Sequence, residues 1–331
     1  MMEALQDFRT NQKSGQHPTS ANVWVYILSN NQFFVKAFWL LLICVGFSGS
    51  ANSQELEARA YANLPKDLNA VALGYAYTKG SVAVDASLPI EDFTLTAHTY
   101  AFRYVRTFGV AHKLARMHVT VPYVDLAGQA KVIGQDTSIA RNGLGDTRVQ
   151  IGINLIGSPA LERKDFVKYT QKTIVGITLT TSIPTGQYYT DKRINLGTHR
   201  WAFKPEIGAS KKINQVYADA YVGMWFYESN PAYLETKILK QEPLLSTQAH
   251  VSYYFKNQSM IGIDGNWFKG GKVSIDDIPS GRRIDHWRVG ATCAVPFAGK
   301  HVVKLQFHTS VYSGNGTTFD VLSFGYQYVF F

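Results

Sequence analysis

The chain has 331 residues, of which 46% are hydrophobic and 13% aromatic, and it carries a formal net charge of +9 at pH 7. Its mean hydropathy of −0.11 argues against a bundle of membrane-spanning helices, because each such helix needs about 20 consecutive apolar residues. The composition is instead typical of a membrane β-barrel, in which lipid-facing and lumen-facing residues alternate and aromatic side chains gather at the membrane interfaces.

Residues 36–53 form the first predicted element, an export signal. Lys36 provides a positive charge, residues 37–47 are apolar, and small residues follow them, which is the order of regions in a secretory signal. The apolar stretch is too short to span a bilayer as a helix, and a buried or anchoring helix is the alternative. Small residues at the positions that signal peptidase reads place the expected cleavage between Ser53 and Gln54.

The predicted cleavage divides the chain into two parts. Residues 1–53 are the N-terminal extension and signal peptide, and residues 54–331 are the exported barrel domain. The polar stretch before the signal is long for a signal peptide. It indicates that translation starts further along the chain, near Val35.

Twelve stretches of alternating character follow in the exported domain. Each is long enough for a tilted membrane-crossing strand, which needs about 9–11 residues, and their number is even, as in bacterial single-chain barrels. The predicted fold class is therefore all-β, a transmembrane antiparallel β-barrel of about 12 strands. The stretches are 68–78, 94–107, 113–124, 146–157, 171–183, 198–211, 215–227, 245–256, 258–270, 283–296, 300–313 and 317–330.

The connections between these stretches alternate in length. Outer-membrane barrels have long external loops and short periplasmic turns, so the alternation predicts the Gram-negative outer membrane, with both chain ends in the periplasm. A soluble β-sandwich does not predict such alternation. The connections 158–170, which is long for a turn, and 314–316, which is short for a loop, break the pattern.

The chain ends in alternating aromatic residues. Phe324, Tyr326, Tyr328 and Phe330 share one face of the last stretch, and Phe331 follows one residue out of register. This ending resembles the signal that the barrel-assembly machinery reads. That machinery is therefore an expected partner.

Charged side chains avoid lipid, so the charges set the phase of each predicted strand. In the stretch 146–157, Ile151 faces lipid, whereas Arg148 and Gln150 face the lumen. The candidate residues of the lumen and solute pathway are Arg103, Arg116, Arg148, Lys204, Glu206, Asp219, Tyr221, Trp225, His250, Asp264, His286, Arg288 and Lys304. The same argument turns His118, Asn154, Lys172, Tyr217, Asn266 and His308 inward.

Counted with Lys172, this lumen has seven Lys or Arg residues against three acidic ones. A basic lumen favours anionic solutes, and Tyr217, Tyr221 and Trp225 suit aromatic ones. The alternative is that the charges pair and the aromatic rings brace a packed interior, since a barrel of this size leaves little open space.

Four segments carry a resemblance to a known family. They are residues 143–146 (Gly-Leu-Gly-Asp), 184–186 (Pro-Thr-Gly), 194–205 (Ile-Asn-Leu-Gly-Thr-His-Arg-Trp-Ala-Phe-Lys-Pro) and 241–243 (Gln-Glu-Pro). They resemble the outer-membrane family named for the MetA pathway of phenol degradation, over roughly residues 60–331. The resemblance implies a barrel that takes up small hydrophobic or aromatic compounds, and it supplies no binding residue.

The sequence contains no pattern typical of an enzyme, a cofactor site or a metal site. Gly143 and Gly145 lack the Lys-Ser/Thr pair of a phosphate loop, and the histidines lack zinc-ligand spacing. The positive charge is spread along the chain, so we expect contact with anionic lipopolysaccharide and none with nucleic acid. The alternatives to a channel are a structural or adhesive barrel and a barrel lipase, which needs a serine beside an outward histidine such as His98 or His301.

The predicted processing can be measured directly. Sequencing the N-terminus of the protein isolated from outer membranes should give a chain that begins at Gln54, because the Lys36-to-Ser53 pattern is that of a cleaved signal. A membrane-embedded protein that still begins before residue 37 would contradict the prediction.

Overall fold

The computed structural model describes residues 57–81, 90–132, 135–280, 283–314 and 317–331. These ranges contain seventeen β-strands and one helix of four residues. Within them, no helix is long and apolar enough to cross a membrane. The predicted export signal and its cleavage position lie outside the described residues.

Twelve of the strands form the barrel, and each overlaps one of the twelve predicted stretches, so the predicted fold class is confirmed. They are β1 (Asn69–Ser81), β2 (Ile90–Val110), β3 (Lys113–Val132), β5 (Thr147–Ile156), β6 (Thr173–Ile183), β7 (Ala202–Ile213), β8 (Val216–Tyr227), β11 (Leu244–Tyr254), β12 (Met260–Gly270), β15 (Ile284–Phe297), β16 (His301–Ser313) and β17 (Thr318–Phe330). All neighbours are antiparallel. The ring closes where β1 pairs with β17, from Asn69 opposite Phe330 to Ser81 opposite Thr318.

Five further strands lie at the end of the barrel with the long connections, called the loop end here; the opposite end is the turn end. β4 (Gln135–Leu144) forms a hairpin with the extended part of β3. β9 (Asn230–Tyr233), β10 (Lys237–Gln241), β13 (Val273–Ile275) and β14 (Ile278–Ser280) form a separate sheet. The sequence predicts these regions only as connections between barrel strands. β4, β9 and β14 pair with strands next to them in the chain, whereas β10 pairs with β13 from the following long connection. The ion pair of Lys240 with Asp277, at 2.7 Å, supports that contact.

The turn end is closed mostly by tight turns. His112 and Asn214 have φ angles of 62° and 55°, the left-handed conformation that two-residue hairpin turns require. The connection 157–172 is long, as its sequence indicates, and it contains the helix α1 (Arg163–Phe166).

Exposure alternates along the barrel strands. In β8, Val222, Met224 and Phe226 are exposed on the outer face, while Asp219 and Tyr221 are buried inside. The chain-end aromatics follow the predicted phase, since Phe324 is exposed on the outer face and Phe331 lies beyond the last strand.

The expectation that Lys172 faces the lumen is wrong. Strand β6 begins at Thr173, and Lys172 is exposed in the connection before it. The alternating pattern extends to Lys172, but its ammonium group keeps its water by staying outside the barrel.

Two neighbouring positions on β5 test the phase. Ile151→Arg should destabilise the folded barrel by about 2–4 kcal/mol if the residue lies near the bilayer midplane, because the guanidinium would enter lipid. Gln150→Arg should be mild, because Gln150 lines a polar cavity in the lumen. Unfolding of both variants in lipid vesicles with guanidinium measures the difference. Equal losses of stability in the two variants would contradict the assignment of Ile151 to the lipid-facing side and of Gln150 to the lumen.

Candidate functional site: the barrel lumen

Residues 57–68, which precede β1, lie inside the barrel near the turn end and are called the strap. The guanidinium of Arg116 on β3 donates to the carbonyl oxygens of Ala60 and Ala62, the latter at 2.8 Å. The strap's own Arg59 forms an ion pair with Asp219 at 3.1 Å and donates to Ser210 at 2.7 Å. The wall and the strap therefore neutralise each other's charges and backbone dipoles.

Tyr61 anchors the strap in a socket of the wall. Its side chain is 2% exposed, its ring lies 5.0 Å from that of Tyr221, and its hydroxyl donates to Glu206 at 3.3 Å. Two wall glycines make room for the ring: a Cβ on Gly208 would lie 2.0 Å from a Tyr61 ring carbon, and one on Gly176 would lie 2.7 Å away. The wall is thus shaped to hold this residue.

A polar cavity of about 250 Å³ lies on the loop-end side of the strap. Its charged lining comprises Arg103, Arg148, Lys204, Lys304, Glu57 and Glu206. Lys204 pairs with Glu206 at 2.7 Å, and Arg103 pairs with the strap's Glu57 at 2.7 Å. The four Lys or Arg residues outnumber the two carboxylates, so the cavity has a positive potential. Burial raises the pKa of the Glu57 carboxyl, but Arg103, His118 and Lys304 lower it further, to about 2, so it stays ionised.

One side of the inner wall carries a network of buried polar side chains. Asp264 accepts from Thr292 at 2.6 Å, and its other oxygen lies 2.6 Å from Nδ1 of His250. Nε2 of His286 lies 2.9 Å from the hydroxyl of Ser310. Most of these polar atoms have partners within the wall, as is usual for buried polar groups, whereas Nε2 of His250 is buried without one. The side chains therefore fill this side of the interior.

Two apolar clusters occupy the lumen near the loop end. The first contains Leu95, Leu126, Phe319 and Val321, with Ile194 and Leu196 from the connection 184–201 packed against it. The second, called the aromatic cluster, consists of Ala202, Trp225, Leu244 and Phe268. Cations lie beside its rings: Nζ of Lys204 is 5.7 Å from the ring centre of Trp225, and the guanidinium of Arg288 is 5.3 Å from that of Phe268.

The family-like segments of the sequence meet around one carboxylate. Asp146 accepts from the backbone N–H of Gly186 at 3.0 Å, and from the N–H and hydroxyl of Thr198 at 2.9 and 2.6 Å. Arg200 in turn donates to Gln241. Three of the family-like segments meet at Asp146, and the fourth is joined to them through Arg200. Together they hold the connection 184–201 at the loop end. These contacts give the segments a structural role at the loop end of the barrel.

The candidate residues of the solute pathway separate into four groups. Arg103, Arg148, Lys204, Glu206, Tyr221 and Lys304 line the cavity; Arg116 and Asp219 bind the strap; His250, Asp264 and His286 belong to the polar network; Trp225 and Arg288 lie at the aromatic cluster. Sequence reasoning missed the strap, since residues 57–68 show no strand pattern. The complementary charges of Glu57 and Arg59 are the only signal they carry.

The outward histidines that a barrel lipase would need are engaged with tyrosines. Nδ1 of His98 lies 2.8 Å from the hydroxyl of Tyr75, and Nδ1 of His301 lies 2.7 Å from that of Tyr326. Both belong to aromatic groups on the outer face, as expected for residues at a membrane interface.

Comparisons with known proteins show the family and the fold of this barrel. The family model described as "Putative MetA-pathway of phenol degradation" matches residues 72–325, more than three quarters of the chain, and begins after the strap. No curated protein matches the chain. An outer membrane channel from Pseudomonas putida F1 is 18% identical, with a TM-score of 0.70, and the match covers 83% of this chain and 100% of that one. This similarity shows a shared barrel fold.

Two autotransporter barrels are less similar. The beta domain of the Bordetella autotransporter Brka is 10% identical, with 80% of this chain and 100% of that one covered and a TM-score of 0.48. The transport unit of AIDA-I from Escherichia coli is 9% identical, with 84% and 93% covered and a TM-score of 0.49.

A double-mutant cycle tests the socket. Gly208→Ala should destabilise the barrel, because the new methyl group would overlap the Tyr61 ring. In the Tyr61→Ala background the same change should cost much less, so that the two effects differ from additivity by about 0.5–3 kcal/mol. Gly265→Ala is the matched control, since a Cβ there has no neighbour nearer than 3.8 Å. Additive effects at Gly208, measured by denaturant unfolding, would rule out the socket.

Proposed function

The chain belongs to the family described as "Putative MetA-pathway of phenol degradation", and we propose that it is an outer-membrane channel for small aromatic compounds, including anionic ones. The observation that carries this proposal is the order of surfaces in the lumen. An aromatic cluster with cations beside its rings lies near the loop end, and a positively charged cavity lies next to it.

An aromatic ring with a negative group fits both surfaces. Trp225 and Phe268 are buried side by side in the cluster, and their rings would pair favourably with an aromatic solute that reaches them. Lys204 connects them with the cavity, because it approaches the ring of Trp225 and also lines the cavity wall. Arg148 and Lys304 provide further positive charge there, and charged groups lining a pore set the field that a permeating ion meets.

The strap favours a second candidate, a structural barrel without transport. It occupies the lumen near the turn end and is held by Arg116, Asp219 and the Tyr61 socket. A plugged barrel would use these contacts for stability alone. The two candidates differ in conductance and in solute uptake.

The surroundings of the channel belong to the same proposal. We infer export through the cleaved signal at residues 36–53, insertion by the barrel-assembly machinery through the aromatic end of β17, and contact of the positively charged protein with lipopolysaccharide. The outward aromatic face of β17, with Leu322 and Phe324 exposed, supports the second of these.

Ion selectivity tests the charged part of the lumen. In planar bilayers the wild-type channel should prefer anions, and Arg148→Ser with Lys304→Ser should reduce that preference, because both side chains line the cavity. Lys164→Ser with Lys168→Ser removes the same charge from exposed positions at the turn end and should leave selectivity unchanged. Equal reversal potentials for all three proteins would contradict the charged pathway.

Solute uptake tests transport itself. A strain that lacks the protein should take up phenol and benzoate more slowly than wild type, and the wild-type chain should restore both rates. If uptake is the same in both strains and the purified protein shows no conductance, the structural barrel becomes the better candidate.

A further inference from the structure

Among the described connections at the turn end, only 157–172 is long. Two residues are enough to join antiparallel strands, so the hairpin of β5 and β6 does not need this length to close. The connection starts inside the barrel, where the hydroxyl of the buried Ser158 accepts from Nδ2 of Asn154 on β5 at 2.9 Å. Its remaining residues are therefore free to serve another purpose.

The connection crosses the end of the barrel beside the strap. The N–H of Lys66 in the strap donates to the carbonyl oxygen of Leu161 at 2.8 Å. Further along, the guanidinium of Arg163 lies 4.9 Å from the ring centre of Phe331, beyond the end of β17. Three strands, β1, β2 and β3, separate β17 from β5 in the barrel. The outer surface of the connection therefore faces the water at this end rather than the surrounding lipid.

Several contacts fix the connection in place. The N–H of Ala160 donates to the carbonyl oxygen of His112 in the turn between β2 and β3, at 3.0 Å. The hydroxyl of Tyr169 donates to the carbonyl oxygen of Gly157. The ammonium of Lys66 pairs with Glu162 at 2.6 Å. The surface is thus preformed, which lowers the ordering cost of binding.

One face of the connection combines two lysines with an exposed apolar residue. Val167 follows α1 and keeps helical backbone angles, with φ −59° and ψ −30°, so Lys164, Val167 and Lys168 share a face. We call these three residues the patch. Val167 is 81% exposed, the highest value among the large hydrophobic side chains of the described residues. An apolar centre with a charged rim is typical of a protein–protein interface.

The charges around the patch are positive and mostly unpaired. Neither lysine of the patch has an acidic partner among the described residues. The four short turns at this end add lysines within them or beside them and no acidic residue: Lys113, Lys212, Lys256 and Lys300. At the loop end, by contrast, Lys237 pairs with Asp276 at 3.2 Å and Lys240 with Asp277 at 2.7 Å. A fixed surface of unpaired positive charge attracts an anionic partner and speeds its association.

We propose that the patch is a docking site for an acidic soluble protein of the periplasm. The positive charge selects an anionic partner. Val167 favours a protein over a polysaccharide or a small anion, because apolar side chains of a protein can cover it. The position of the connection across the end of the barrel favours a soluble partner over the lipid leaflet. This inference goes beyond the proposed channel function and depends only on the orientation that places the turn end in the periplasm.

Photo-cross-linking in living cells tests the docking site. The probe is p-benzoylphenylalanine, introduced at position 167 of the full chain in the bacterium that makes the protein. The same probe at position 278 is the matched control, because Ile278 is an apolar residue at the loop end that is 71% exposed. Lys164→Glu with Lys168→Glu reverses the charge of the patch. Lys256→Glu with Lys300→Glu reverses the same amount of charge elsewhere at the turn end.

A soluble periplasmic protein with a net negative charge should be cross-linked at position 167 and not at position 278. The patch reversal should lower the yield several-fold, whereas the reversal at Lys256 and Lys300 should not. Lys164→Arg with Lys168→Arg should keep the yield, because the charge is unchanged. The purified pair should bind in detergent solution with a Kd that rises several-fold on patch reversal, and it should bind more weakly as salt is added.

Three results overturn the docking site. The cross-links at position 167 could lead only to lipid, peptidoglycan or the barrel-assembly machinery. They could be no stronger than those at position 278. The captured protein could lack a net negative charge, or bind the patch-reversed barrel as tightly as the wild type. None of these results depends on conductance or solute uptake, so the channel function is judged separately.

Discussion

The backbone of a membrane-spanning wall must satisfy its hydrogen bonds within the wall, because lipid supplies neither donors nor acceptors. The pairing of β1 with β17 meets this demand at both ends of the sheet and turns twelve strands into a closed barrel. Closure also separates two environments. The outer face has to be apolar, so the charges that the strands carry are confined to the lumen.

The confinement of charges to the lumen explains which groups fill it. Charges held together in a narrow interior need partners, and the strap provides several of them: Arg59 for Asp219, Glu57 for Arg103, and backbone carbonyls for Arg116. The polar network around Asp264 satisfies others within the wall. The cavity is where this pairing is incomplete, and its excess of positive charge follows from that.

A different constraint acts at the loop end of the barrel. Connections at the loop end are long enough to fold back, and Ile194 and Leu196 bury apolar surface inside the barrel while Asp146 holds the ends of their connection. The lumen therefore changes from apolar to charged along its axis.

The amino-acid sequence by itself determined the twelve barrel strands, which end of the barrel has the long connections, and the inward phase of residues such as Arg148 and Asp264. These properties follow from an alternation with a period of two residues, which is local in the chain. Lys172 shows the limit of that pattern, since alternation continues past the point where a strand begins. Only the tertiary structure decided that residues 57–68 enter the lumen, that Tyr61 fills a glycine socket and that distant segments meet at Asp146. Arg59 and Asp219 are 160 positions apart, and no local periodicity encodes such a pair, because it forms only after closure has brought the two surfaces together.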